Sequence, residues 1–320
     1  MEEILVSIVC TTFNHEKYIE KCVNGFLCQN TTFKYEIIIH DDASTDNTKN
    51  ILTRLKEQYP EINVIFEKEN QYSKGKKIHE IIYPYIHGKY VATCEGDDYW
   101  TDKDKLQKQL DFLARHPEYI ACTHNTLRFD CRTGKKTVMY GNADRDLLLK
   151  DVIERGGIAY HTSSLVRKKE YYLLPERLTS NTFNDYPASM YLTLSGRVRY
   201  LADVMSVYRF FSIGSYSQRS IHNTIHQKAQ VYDEIIRLLK EYNEFSNHEY
   251  QDLFNKNIRL NEAKRLYILG KYKEIIGNRE YKIAYLSSGT LKNAIALYAK
   301  AYCPYFMSLL KHIGERINAR

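Results

Sequence analysis

Glycine-rich phosphate loops are missing from this chain of 320 residues. The first apolar run, ILVSIVC, opens into TTFNHE (residues 11–16) with no Gly-x-Gly-x-x-Gly, and no GxxxxGK[ST] occurs anywhere. A dinucleotide cradle and a P-loop are both excluded, because each needs glycines to bring backbone amides against phosphate. CxxC pairs are missing too. The seven cysteines, at 10, 22, 28, 94, 122, 131 and 303, are odd in number, and several lie inside apolar runs such as SIVC and VATC. They read as buried free thiols of a reducing compartment, not as a zinc site. No apolar run reaches about 18 residues, so no transmembrane helix is expected. The opening MEEILVSIVC lacks the basic n-region of a signal peptide. A cytoplasmic protein is the resulting expectation. Trp occurs once and Pro only 6 times.

What is present is an ordinary globular composition, 43% hydrophobic and 27% charged, with 28 Tyr. The net charge of +7 is unevenly placed. From Lys256 onward there are 13 Lys/Arg and 4 Glu, which leaves 33 basic and 35 acidic residues before it. A basic tail on a neutral body suits an anionic surface.

Short apolar runs alternate with helical spacing over the first hundred residues. ILVSIVCTTFN, YEIIIHDDAS, INVIFEKE and KYVATCEGDD read as buried strands. Apolar residues at Ile19, Cys22, Val23, Phe26 and Leu27 make a helix between the first two. Further helices are expected over Thr45–Tyr59, capped by Ser44 or Thr45, and over Ile78–His87. That order predicts an α/β fold with an open, mostly parallel sheet flanked by helices. A helix over 106–116 and a strand over Tyr119–Arg128 follow. Residues 129–157 read as irregular, GIAYHTSSLVRKK as a strand, and VRYLADVMSVYRFF as a bent strand or strand pair. From about 221 the pattern turns helical, so residues 1–220 are assigned to a catalytic domain and 221–320 to a helical C-terminal extension.

Ligands of such sheets bind beyond the carboxyl ends of the strands. Thr11, Thr12 and Asn14, then Asp41 and Asp42, then Glu95, Asp97 and Asp98 gather at those ends. Adjacent carboxylates repel unless a cation lies between them. Mg²⁺ or Mn²⁺ keeps coordination positions open for phosphate oxygens, so a divalent ion carrying a diphosphate reconciles the pair. The competing reading makes Asp98 and Asp102 caps of the next helix.

VSIVCTTFNHEKYIEKCVNGFLCQ, YEIIIHDDASTDNT and KYVATCEGDDYW, in this order and spacing, resemble the family 2 glycosyltransferases of the GT-A fold, of the type that builds bacterial surface polysaccharides. The resemblance runs over about residues 4–215. It implies that Thr11 hydrogen-bonds and Phe13 stacks on the nucleoside. It also implies that Asp42 bonds base or ribose, with Asp41 orienting its loop. Asp98 would hold the metal and Asp97 would face the ribose or sugar. An inverting transfer needs one base on the acceptor hydroxyl. Asp185 in FNDYPASMYL matches that position, although an Asp before a helix is also a good cap; Asp203 is the runner-up. His161 and Trp100 fall on the acceptor or phosphate side, and Arg209 within reach of the diphosphate. Phe210 and Phe211 stand where many relatives carry a metal-binding His, with His222 and His226 further on. The Gln-x-x-Arg-Trp motif of processive relatives is absent, which implies transfer of a single sugar, most simply from a UDP-sugar, to a saccharide or lipid-linked acceptor.

The tail over 290–317 places Lys292, Lys300, Lys311 and Arg316 among apolar residues, with Tyr298, Tyr302, Tyr305 and Phe306. Peripheral attachment at the inner face of the membrane, packing on the catalytic domain and homo-oligomerisation all remain open. No nucleic-acid motif accompanies the basic residues. A nucleotidyltransferase and a non-catalytic sugar or nucleotide binder are the rival functions. The first would want a Gly-rich loop, and the second would lack the base.

Overall fold

The computed structural model describes residues 3–156, 159–180 and 182–303. They form two compact units that part between Ile221 and His222.

In the first unit the strands are β1 (Ile4–Thr12), β2 (Lys34–Asp41), β3 (Ile62–Phe66), β4 (Tyr90–Glu95), β5 (Tyr99–Trp100), β6 (Tyr119–Asp130), β7 (Lys136–Val138), β8 (Arg145–Leu147), β9 (Val166–Lys168) and β10 (Arg197–Phe210). The helices are α1 (Ile19–Leu27), α2 (Thr48–Gln58), α3 (Ile78–Ile82), α4 (Lys105–Arg115), α5 (Leu149–Arg155), α6 (Asp185–Ser195) and α7 (Tyr216–Arg219). One sheet runs β3-β2-β1-β4-β9-β6-β10-β5, with β7 on β6 and β8 on β10. The first four strands are parallel, as are β6 and β10, while β9 enters antiparallel between β4 and β6. The parallel half follows from apolar runs buried on both faces.

Alternate residues of β1 serve two cores. Ile8 and Cys10 join Phe26, Ile37, Trp100 and Leu110 beneath α1 and α4, and Val9 joins Ile38, Ile82, Val91 and Tyr172 on the opposite face. Gly88 makes the turn into β4 tight. A Cβ there would lie 2.5 Å from the Ser7 amide nitrogen.

Several expected elements change shape. The helix at 78–87 stops at Ile82 and continues as a 3₁₀ turn over Tyr83–Tyr85, where Pro84 has no amide to donate. Among the described residues 159–169 only β9 is strand, behind a 3₁₀ turn at Thr162–Ser164. The span read as irregular holds β7, β8 and α5. β10 is one long strand whose register slips between Leu201 and Ser206. Asn47, not Ser44 or Thr45, precedes α2.

The second unit holds α8 (Ile225–Phe245), α9 (Gln251–Ile268), α10 (Tyr272–Gly277), α11 (Arg279–Ser288) and α12 (Leu291–Tyr302). Ala263, Ile275 and Leu297 form its core with Tyr267, Tyr272 and Tyr285 around them. Tyr305, Phe306, Lys311 and Arg316 lie outside the described residues. Among the described residues no helix is long and apolar enough to cross a membrane.

Candidate active site

Two loops interlock at the ends of β1 and β2. Asn14 takes a left-handed conformation (φ 55°). Its amide donates to Ser44 Oγ at 2.8 Å, and its Oδ1 accepts from the Thr45 amide at 2.7 Å. The His15 amide donates to Thr48 Oγ1 at 2.9 Å. Ser44 in turn donates to Asp41 Oδ1. Those bonds consume the groups that local sequence offers as caps for α2. Buried Asp41 is raised above the usual carboxylate range by desolvation, against the Ser44 bond. Asp42 is equally committed, since its two oxygens accept from the Gln71 and Tyr72 amides at 2.7 and 3.0 Å. Both acids therefore hold loops. Phe13 stands 37% exposed beside them and Thr11 is half-buried, which leaves an aromatic face and a hydroxyl open at the strand end.

The end of β4 meets this loop through Gly96. Its amide donates to the Thr11 carbonyl at 2.9 Å, and a Cβ there would lie 2.8 Å from both Thr12 Oγ1 and His15 Nδ1. Only glycine allows the acidic turn to come this close. Asp97 Oδ2 accepts from Ser212 Oγ at 2.6 Å, and the Arg209 guanidinium donates to the Asp97 carbonyl between the Tyr18 and Tyr99 rings. Asp98 is fully buried. Its Oδ1 accepts from the Arg209 amide at 2.7 Å, but Oδ2 has no hydrogen-bond partner among the described residues.

Glu95, Asp97 and Asp98 each offer a ligand atom, all within 4.8 Å of one another. Burial, then the charge of Asp97, raises Asp98 well above the carboxylate range. Glu95 opens to solvent at the cleft floor, yet desolvation by the walls and the charges of Asp97 and Asp185 push it up to about 8. An orphaned buried carboxylate oxygen amid like charges is what a cation relieves, so these hard oxygen donors fit Mg²⁺ or Mn²⁺.

His161 stacks on Tyr208 (centroids 4.2 Å apart) and turns Nε2 toward Asp98 Oδ2 at 3.6 Å. Burial lowers it to about 4, so the ring is neutral and able to ligate. A neutral imidazole thus reaches Asp98 from the residue that precedes the 3₁₀ turn at Thr162–Ser164.

Trp100 goes elsewhere. It is 3% exposed, edge-on to Phe26 at 4.7 Å, and its Nε1 donates to the Ser163 carbonyl at 2.8 Å. No surface of it remains for an acceptor. Asp185 is the first residue of α6 and follows the cap position, Asn184. Its Oδ1 accepts from the Tyr186 amide at 2.8 Å, and burial raises it even though the side chain reaches solvent. The charge of Asp185 acts on Glu95, which puts the base candidate in the neighbourhood of the acidic turn. Asp203 lies instead at the surface, 3.2 Å from Lys108. Sequence reading marked Glu95 only as a strand-end acid and missed Ser212. The EGDD spacing points to the first, and no local signal marks the second.

Residues 7–172 match the sequence family described as Glycosyl transferase family 2. An uncharacterized protein of Mycobacterium tuberculosis is 33% identical over 210 residues, 64% of this chain and 58% of its own length. A putative teichuronic acid biosynthesis glycosyltransferase of Bacillus subtilis, TuaG, is 37% identical over 112 residues, 34% of this chain and 42% of that protein. The chain thus spans 58% and 42% of the length of these two curated relatives. Among solved structures, S. aureus TarS in complex with UDP-GlcNAc superposes with a TM-score of 0.57 at 17% identity, over 84% of this chain and 80% of that one. The mannosyltransferase PcManGT of Pyrobaculum calidifontis, in complex with GDP-Man and Mn²⁺, gives 0.55 at 18% identity, over 94% and 82%. These likenesses establish the GT-A fold. With more than half of its length matched to the family and its sheet in that frame, the chain belongs to glycosyl transferase family 2.

Proposed function

We propose that this protein moves one sugar from a nucleoside diphosphate sugar, a UDP-sugar first, to a hydroxyl of a saccharide or lipid-linked saccharide in surface polysaccharide synthesis, with inversion. The observation that carries the reading is the unpartnered, fully buried Asp98 carboxylate oxygen within 4.8 Å of ligand atoms of Glu95 and Asp97. TarS in complex with UDP-GlcNAc and PcManGT in complex with GDP-Man and Mn²⁺ share the fold, which supports a nucleotide-sugar donor.

Phe13 stacks on the base and Thr11 hydrogen-bonds it, on loops that Asp41 and Asp42 hold rigid. Asp97, fixed by Ser212, accepts from donor hydroxyls, and Arg209 braces that turn. Asp98, with Glu95 or Asp97 and His161 at its side, would hold a divalent cation, which when bound offsets charge on the leaving diphosphate. Asp185 takes the proton of the attacking hydroxyl. One base on the acceptor side implies a single displacement, and hence inversion.

Asp185→Asn is expected to lower kcat by about 10²–10⁴-fold while UDP binding with Mn²⁺ stays within twofold. Near-normal turnover removes Asp185 from the role. A pure binder would neither transfer nor hydrolyse any nucleotide sugar.

For a lipid-linked acceptor the enzyme would work in the cytoplasm at the inner membrane face. Leu291, Ile295, Tyr298 and Tyr302 of α12 are all exposed, at helical spacing, on a basic segment. Full-length protein should pellet with anionic vesicles and not with neutral ones; equal recovery with both removes the membrane contact.

A further inference from the structure

A chain of buried hydroxyls runs from the core to His161, the residue before the 3₁₀ turn at Thr162–Ser164. His161 Nδ1 lies 2.9 Å from Ser163 Oγ. Ser163 Oγ donates to Ser206 Oγ at 2.8 Å, and Ser206 Oγ meets Thr126 Oγ1 at 3.1 Å. Ser163, Ser206 and Thr126 are all fully buried. Strand register explains the last contact, because Ser206 of β10 and Thr126 of β6 are paired residues. Tyr208, which stacks on the imidazole, follows Ser206 by two residues on β10. One face of one strand therefore holds both the ring and its hydroxyl chain.

The turn itself is tied down at every residue. Thr93 Oγ1 donates to the Thr162 carbonyl at 3.0 Å, Trp100 Nε1 to the Ser163 carbonyl at 2.8 Å, and Gln109 Nε2 to the Ser164 carbonyl at 2.9 Å. Ser164 Oγ donates to the His161 carbonyl at 2.6 Å. Bonds from β4, β5 and α4 thus fix the turn, which leaves Ser163 little freedom to find another partner.

A neutral imidazole carries one N–H and one lone pair, and the partner of one nitrogen decides which nitrogen has which. The Ser163 hydrogen is committed to Ser206. Its Oγ therefore meets His161 as an acceptor, and Nδ1 bears the ring hydrogen. Nε2 then turns a lone pair toward Asp98 Oδ2, 3.6 Å away and itself without a partner. Two lone pairs that face each other with no hydrogen between them call for a cation. The opposite tautomer would accept from the Ser163 amide, which reaches Nδ1 only at 3.3 Å. Its Nε2–H would lie too far from Oδ2 to donate. We propose that Ser163, backed by Ser206 and Thr126, is a positioning residue that fixes His161 as the Nδ1–H tautomer and so presents Nε2 as a ligand to the divalent cation on Asp98. Metal-bound histidines are oriented through their second nitrogen, and loss of that partner weakens metal binding about 10–100-fold. The inference rests on Asp98 holding a metal.

The test uses the full chain. Long-range ¹H–¹⁵N NMR of metal-free, histidine-labelled protein reads the tautomer, with His161 assigned by the signal lost in H161F. Mn²⁺ affinity in the presence of UDP is read by electron paramagnetic resonance, and Tm is measured in EDTA. Wild-type His161 should carry its hydrogen on Nδ1. S206A should free the Ser163 hydroxyl to donate to Nδ1 and so move the ring hydrogen to Nε2. S163A should leave Nδ1 without its acceptor and populate both tautomers. Each should weaken Mn²⁺ binding about tenfold or more, and H161F should weaken it at least as much. A wild-type hydrogen on Nε2 overturns the inference. So does Mn²⁺ affinity unchanged in both serine variants. A loss of Mn²⁺ affinity with the tautomer unchanged and Tm lowered marks a structural role and overturns it as well. Mn²⁺ binding lost in D98N but kept in H161F leaves the metal on Asp98 and removes His161 and Ser163 from it. Wild-type protein that binds no Mn²⁺ in the presence of UDP fails the metal reading itself and takes this inference with it.

Discussion

Replacing Asp98 by Asn should stabilise the metal-free protein and abolish its response to metal. The carboxyl is fully buried, receives one backbone hydrogen bond at 2.7 Å, and leaves its second oxygen unbonded, with ligand atoms of Glu95 and Asp97 within 4.8 Å. Burial and then Asp97 raise its pKa. In the unfolded chain an aspartate ionises near ~3.9. Between that value and the raised folded one, the native state binds more protons than the unfolded state, so stability falls as pH rises. Asparagine cannot ionise and escapes that loss. Replacing a buried carboxylate oxygen that lacks its bonds by an uncharged amide, which can donate to the neighbouring carboxylates, is worth about 1–3 kcal/mol. At about 2–4 °C per kcal/mol for a domain of this size, that is a rise of about 2–12 °C. The gain should appear at pH 8 and shrink toward pH 5, where the wild-type carboxyl keeps its proton. Differential scanning fluorimetry in EDTA reads it directly. Mn²⁺ with UDP should raise Tm of the wild type and leave D98N unmoved. A D98N protein that melts below wild type in EDTA at pH 8, or that Mn²⁺ stabilises equally, would refute the reasoning.

Three further outcomes follow from the same geometry. Asp185 titrates above the usual carboxylate range and must be ionised to accept a proton. kcat/KM should therefore rise with pH through an acidic limb above ~4, and in D185N the limb should vanish with the rate. Gly96→Ala places a methyl 2.8 Å from Thr12 Oγ1 and His15 Nδ1. It should cost about 1–3 kcal/mol and weaken UDP binding in calorimetry, and an unchanged affinity would show that the turn has slack. Trp100→Phe loses the bond to the Ser163 carbonyl. It should lower stability by about 1–2 kcal/mol without changing donor or acceptor KM, and a selective rise in acceptor KM would return Trp100 to the site.

Much of this was legible along the chain. Period-2 and unbroken apolar runs mark β1, β2 and β4, and acids at their ends mark the cleft, because strand periodicity and strand ends are local properties. The order of TTFNHE, HDDAS and CEGDD carried the family. Tertiary structure decided what each acid does. Asp42 gives both oxygens to amides 29 and 30 residues away, so it braces a loop as firmly as Asp41. Asp98 is tied to an amide 111 residues distant and keeps one oxygen bare. Trp100, adjacent to the acidic turn in sequence, points into the core, since successive side chains of a strand face opposite ways. Local sequence determined which residues line the strand ends. Only the folded chain decided which of their oxygens and hydroxyls remain free for a ligand, because hydrogen-bond partners come from segments that sequence proximity does not connect.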